Sequence, residues 1–187
     1  MKKLSFYDFD GTLMNSPEKE WGKNYWKEKT GEEYPHLGWW GRPESLSTEV
    51  FDIKPFDSLL KLLRRDYSDS DTYVVILTNR MKKLEPQLEK ILKINNIQVD
   101  ELNTKIGNKR KDQRILEYLE KFPNVEQIDV YDDMEDQITT LKGLAQVLPE
   151  NIEYNIYKAD NGSITKMEIE RSLEEIIITE IQNFIKN

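Results

Sequence analysis

The chain has 187 residues, 37% hydrophobic and 33% charged, with a formal net charge of −8: an ordinary soluble globular balance, long enough for one domain with a modest insertion. No apolar run approaches a membrane span, and the absence of cysteine excludes a disulfide framework, a thiol nucleophile and a thiolate metal site. The negative balance disfavours non-specific nucleic-acid binding, and the apolar run after Met1-Lys2-Lys3 breaks at Asp8, so no export signal is expected and a cytoplasmic location is.

Strand-like and helix-like segments alternate along the chain, which predicts a mostly parallel sheet covered on both faces. Lys3–Phe9 is an apolar and aromatic run and reads as the first strand. Pro17 to about Thr30 reads as a helix, with proline in its first turn and Gly31 past its end. An irregular aromatic stretch follows from Tyr34 to Pro43, and Pro55–Tyr67 is helical through Phe56, Leu59, Leu60 and Leu63. Thr72–Leu77 is a β-branched core strand, Leu84–Asn95 a helix, and Ile97–Leu102 a third strand. Asp112–Phe122 is helical, Ile128–Tyr131 a fourth strand, Asp136–Leu148 a helix and Ile152–Lys158 a fifth strand. The closing segment, Ile164–Ile185, has the spacing of a core-facing helix.

Four polar clusters fall at or near predicted strand ends, the side of an open α/β sheet where ligands bind. In Asp8-Phe9-Asp10-Gly11-Thr12, the two aspartates are two residues apart and can address one small volume, while Gly11 lets the chain turn away. Their mutual repulsion calls for a proton or a hard cation such as Mg²⁺ between them. An ionised aspartate is a nucleophile that needs no partner base. The plainer reading is an Asp-Gly turn after a strand. In Thr78-Asn79-Arg80 a hydroxyl, backbone amides and a guanidinium fork suit phosphate oxygens, although an asparagine before a helix is also a common cap.

Residues 105–114 carry five cations against one aspartate, either a solvated loop or the source of a lysine that screens the nucleophile from an incoming phosphate; Lys111 and Lys109 are the candidates. In Asp132-Asp133-Met134-Glu135-Asp136 the paired aspartates suit a metal, with Asp133 or Asp136 as helix caps the alternative. Trp39 and Trp40, flanked by Gly38 and Gly41, either stack on a base or roof the site, or else plug the core. His36, the only histidine, has no motif around it.

Taken together, Asp8-x-Asp10-Gly11-Thr12, Thr78, a lysine and Asp132-Asp133 resemble the haloacid dehalogenase (HAD) superfamily from Lys3 to about Leu148. The resemblance implies an α/β, three-layer Rossmann-like fold with a mostly parallel five-stranded sheet, helices on both faces and a small helical insertion at about residues 14–54. It also implies Asp8 as nucleophile and Asp10 as general acid and base. Thr78 and Lys111 or Lys109 would bind phosphate, with Asn79, Arg80, Gly11, Trp39 and Trp40 around the substrate. Asp8, Asp10, Asp132 and Asp133 would hold Mg²⁺. Thr78-Asn79-Arg80 and Asp132-Asp133 are similar to the signatures of polynucleotide 3′-phosphatase domains, though Met134 stands where those carry arginine. Gly38-Trp39-Trp40-Gly41-Arg42-Pro43 is similar to an element of the Swiss Army Knife RNA-repair-like branch. The expected substrate is therefore a phosphorylated nucleotide or nucleic-acid end. A small-molecule nucleotidase, a phosphotransferase and a non-catalytic phosphate- or nucleic-acid-binding module are the alternatives.

Overall fold

The computed structural model describes residues 1–169. Its sheet has six strands: β1 (Lys3–Tyr7), β2 (Thr72–Met81), β3 (Glu101–Lys105), β4 (Gln127–Asp132), β5 (Glu153–Asp160) and β6 (Ser163–Lys166). Their order is β3-β2-β1-β4-β5-β6, all parallel except β6, which runs antiparallel to β5. The chain builds outward from β1 to β3 and then crosses back to lay β4 on the other side of β1. The strand order thus reverses between β1 and β4, which opens a crevice beyond their carboxyl ends.

Five α-helices connect the strands: α1 (Lys19–Thr30), α2 (Asp57–Ser68), α3 (Glu85–Ile94), α4 (Lys111–Lys121) and α5 (Glu135–Leu144). Leu59 and Leu63 of α2 and Leu88, Ile91 and Leu92 of α3 pack with Tyr7, Val74 and Ile76 on one face of the sheet. Ile115 and Tyr118 of α4 and Ile138, Leu141 and Leu144 of α5 pack with Leu4, Phe6, Val75 and Ile128 on the other. Adjacent residues of β1 therefore enter opposite cores, and the strand is apolar on both faces, as a central parallel strand must be. A buried carboxylate ties α2 beneath β1: Ser5 Oγ and Tyr7 Oη each donate to Asp66 Oδ2 at 2.8 Å.

The three-layer architecture is the expected one, with differences in detail. The third strand begins at Glu101 and not at Ile97, which is buried with the α3 core. Strand β2 continues to Met81, so Thr78-Asn79-Arg80 lies on an irregular strand extension and not in a turn before a helix. The sheet gains a sixth strand where a helix was expected to begin at Ile164. Asn161 and Gly162 both have positive φ (47° and 84°) and close a two-residue hairpin between β5 and β6. The rest of the expected closing helix, from residue 170 onward, lies outside the described residues.

Within residues 14–54, α1 ends at Gly31, whose φ of 76° and N–H to Lys27 O close the last turn. Trp39, Leu46, Phe51 and Ile53 of this insertion join the core cluster of α2 and α3. No helix among the described residues is long and apolar enough to cross a membrane.

Candidate active site

Asp8 is the first residue beyond β1, and its N–H donates to Tyr131 O, extending the ladder to β4 by one bond. The chain then reverses: Leu13 N donates to Asp8 O and Met14 N to Phe9 O. Gly11 takes φ 70°, and a Cβ there would sit 2.4 Å from Asp133 Oδ2. Glycine is required twice over, for the left-handed backbone and for the approach of Asp133. Thr12 Oγ1 donates to Asp133 Oδ1 at 3.2 Å. The hairpin after β1 thus seats an aspartate from the end of β4.

Helix α4 begins with Lys111, which reaches into the crevice. Its Nζ lies 2.6 Å from Asp8 Oδ1 and 2.6 Å from Asp132 Oδ2, and all three side chains are buried. The remaining Asp132 oxygen accepts the Met134 N–H, so it is Asp132, and not Asp133 or Asp136, that takes the amide entering α5. Burial pushes the Asp8 carboxyl up; Lys111 opposes this, and Asp132 and Asp10 reinforce it. Asp133 is pushed up to about 6, chiefly by burial and then by the charge of Asp132. Lys111 is held above its usual range even though burial works against its charge, because both carboxylates favour the ammonium.

One oxygen from each of Asp8, Asp132 and Asp133 falls within 4.8 Å of the others. A divalent cation would offset the burial and mutual repulsion that push Asp8 and Asp133 up, and an all-oxygen donor set is what Mg²⁺ prefers. The residues therefore fit the expected ion. Asp10, expected beside them as a fourth ligand, is engaged elsewhere.

Arg80 holds Asp10. The guanidinium grips both carboxylate oxygens at 2.8 Å and donates at 2.7 Å to Trp40 O and to Ser45 Oγ. The fork expected to clasp a phosphate is closed on an aspartate instead. Thr78 is buried and lines the same cavity, its Oγ1 accepting the Arg80 N–H. Arg114, one turn after Lys111 on α4, donates to Thr78 O and to Asn79 Oδ1. This leaves the Asn79 amide NH₂ to face Gln137, to which it donates at 3.3 Å.

Asp8, Asp10, Thr78, Asn79, Arg80, Lys111 and Asp133 line a cavity of about 320 Å³ together with Glu18, Trp40, Met134 and Gln137. The two adjacent tryptophans part company here. Trp40 lines the cavity and is 42% exposed. Trp39 is 2% exposed, donates its indole N–H to Pro17 O and packs edge-on to Phe51, so it plugs the core and does not touch the cavity. Lys109 is likewise outside: it is exposed and paired with Glu117. His36 pairs with Glu44 away from the crevice. Arg114, Ser45, Glu18 and Gln137 were not anticipated from the sequence, and Thr12, quoted within its motif, was given no role of its own. For Arg114 alone a signal existed, since it lies on the same face of α4 as Lys111, three residues on.

No protein-family model matches the chain. It is 27% identical over 166 residues to the uncharacterized protein YMR265C of Saccharomyces cerevisiae, covering 75% of this chain and 36% of that protein. The chain thus spans about a third of the curated relative it matches. Among solved structures, the HAD domain of the effector protein Lem4 from Legionella pneumophila superposes with a TM-score of 0.52 at 13% identity, over 96% of this chain and 93% of that one. The haloacid dehalogenase-like hydrolase family protein SP0104 from Streptococcus pneumoniae gives 0.49 at 15% identity, over 82% and 83%. The likeness to the Lem4 domain is one of fold: the chain has the α/β architecture of HAD domains.

Proposed function

We propose that the protein is a Mg²⁺-dependent phosphomonoesterase that works through a phosphorylated Asp8 and acts on nucleotides or nucleic-acid ends. The observation that carries this reading is the buried contact of Lys111 with Asp8 and Asp132, with Asp133 grouped beside them and Asp10 lining the same cavity. A buried lysine on a carboxylate offsets the repulsion an anionic nucleophile meets at an anionic phosphate. Asp8 attacks phosphorus while Asp10 gives its proton to the departing oxygen. Asp10 then takes a proton from the water that hydrolyses the acyl phosphate, regenerating the Asp8 carboxylate and the Asp10 acid. Thr78 and the Asn79 amide, which line the cavity, would hold the phosphoryl oxygens. Mg²⁺ on Asp8, Asp132 and Asp133 would supply further charge neutralisation.

The leaving-group side supports a nucleoside. Trp40 offers an exposed aromatic surface, and the amides of Asn79 and Gln137 stand beside it with both donors and acceptors. This is the polynucleotide 3′-phosphatase-like and RNA-repair-like reading, and Trp40, not Trp39, is the residue on which it rests.

Release of phosphate from an aryl phosphate with Mg²⁺ tests the chemistry: Asp8→Asn should abolish it, and chelation should abolish it reversibly. Full activity in Asp8→Asn would sink the mechanism. Comparing a 3′-phosphorylated oligonucleotide with 3′- and 5′-mononucleotides tests the substrate. A strong preference for mononucleotides would favour a nucleotidase, a reading the modest cavity also accommodates.

A further inference from the structure

Arg80 carries a cation into a phosphate-type site yet spends it on Asp10. Its side chain is 1% exposed, and its five N–H donors are largely committed. Nε and Nη2 hold the two Asp10 oxygens at 2.8 Å each, and Nη1 reaches Trp40 O and Ser45 Oγ at 2.7 Å each. The Ser45 hydroxyl proton goes to Arg42 O at 2.7 Å, which turns an oxygen lone pair toward the guanidinium. The guanidinium carbon also lies 4.8 Å from the Trp40 ring centroid. A phosphoryl group would find too few free donors there for a bidentate grip.

We infer that Arg80 is a positioning residue: it orients the Asp10 carboxyl for proton transfer, and it takes its own position from the insertion through Trp40 and Ser45. A bidentate fork fixes both the position and the plane of a carboxylate, which a single contact does not. The fork occupies one site on each Asp10 oxygen and leaves the others for the departing oxygen and for water. As the Asp8–phosphorus bond forms and the bond from phosphorus to the leaving oxygen breaks, the Asp10 proton passes to that oxygen. The step depends on where the Asp10 oxygens stand. The same planar group touches the wall of the leaving-group pocket at Trp40, so the insertion contributes to catalysis without supplying a reacting atom.

This inference rests on the phosphatase reading, and the full-length chain tests both. The measurement is kcat/KM for two phosphomonoesters: p-nitrophenyl phosphate, whose leaving group departs without a proton, and an alkyl phosphate, whose leaving group needs one. Arg80→Lys keeps the charge and loses the fork. It should depress kcat/KM for the alkyl ester by about tenfold more than for the aryl ester, a part of the roughly 10²- to 10⁴-fold that general acid catalysis supplies, since Asp10 is misaligned and not removed. Ser45→Ala, which removes one of the anchors of Arg80, should shift the ratio in the same direction by about threefold. Equal losses on the two esters, in whichever variant retains the wild-type circular dichroism and melting transition, would overturn the inference and return Arg80 to phosphate binding or to the fold alone. If Arg80→Lys does not fold, the ester ratio in Ser45→Ala decides, and an unchanged ratio overturns it. A wild-type chain inactive on both esters with Mg²⁺, Mn²⁺ and Co²⁺ would refute the phosphatase reading and this inference with it.

Discussion

Glycine in the interior of a helix is ordinarily a weakness: replacing it with alanine gains about 1 kcal/mol from backbone entropy alone. Gly22, in α1, should behave in the opposite way. A Cβ at this position would lie 2.3 Å from Trp39 Cζ2 and 2.4 Å from Cη2. The indole cannot slide away freely, since its N–H is bonded to Pro17 O at 2.9 Å and Tyr34 and Phe51 pack against it. Forcing a methyl into such a core costs about 1–3 kcal/mol, and the upper half of that range suits an overlap this deep. Set against the helix gain, Gly22→Ala should therefore destabilise by about 1–2 kcal/mol, a fall of about 3–6 °C in melting temperature for a chain of this size. Gly143 in α5 is the internal control, because nothing lies within 4 Å of a Cβ built there. Gly143→Ala should leave stability unchanged or raise it by up to about 1 kcal/mol. Urea denaturation monitored by circular dichroism measures both. Combining Gly22→Ala with Trp39→Leu, which removes the obstructing ring, should invert the sign, so that the alanine stabilises the Trp39→Leu background. If Gly22→Ala alone melts at or above the wild type, Trp39 is not packed as a plug and its separation from Trp40 is wrong.

The two lysines of the basic segment should separate cleanly. Lys111→Met strands two buried carboxylates and should cost about 3–5 kcal/mol together with all phosphatase activity, whereas Lys109→Met breaks only a surface pair and should stay within about 0.5 kcal/mol and keep activity. The two tryptophans should separate as well. Trp40→Ala should lower kcat/KM for a nucleotide substrate by about 5- to 150-fold, the worth of a base-stacking contact, with little change in melting temperature. Trp39→Ala should instead destabilise by about 3–5 kcal/mol. Mg²⁺ should raise the melting temperature of the wild type, by the equivalent of about 2.7 kcal/mol at a hundredfold excess over its dissociation constant, and Asp133→Asn should remove most of that rise. A rise undiminished in Asp133→Asn would place the ion elsewhere.

What the sequence determined by itself was local. The position of Asp8 and Asp10 just past the end of an apolar strand brings both to the crevice, because the chain leaving the carboxyl end of a central parallel strand crosses the crevice mouth. The apolar periodicities of α2, α3 and α4 and the β-branched run of β2 announced the layers, since burying one stripe or both faces of a strand leaves a regular mark. The hairpin to β6 was also legible in Asn161-Gly162, but the isoleucine-rich stretch that follows drew the reading toward a helix.

Tertiary structure alone decided the choices between neighbours. Lys111 and Lys109 are chemically equivalent on paper. Only the start of α4 at Lys111 aims one of them between Asp8 and Asp132 and leaves the other in solvent with Glu117. Trp39 and Trp40 sit in a loop without periodicity, so nothing local says which turns inward. That was settled by the space left open at Gly22, 17 residues earlier in the chain. Arg80 looked like a phosphate ligand because its partner, Asp10, is 70 residues away. A side chain's type is written at its own position, but the group that satisfies it is supplied by the fold.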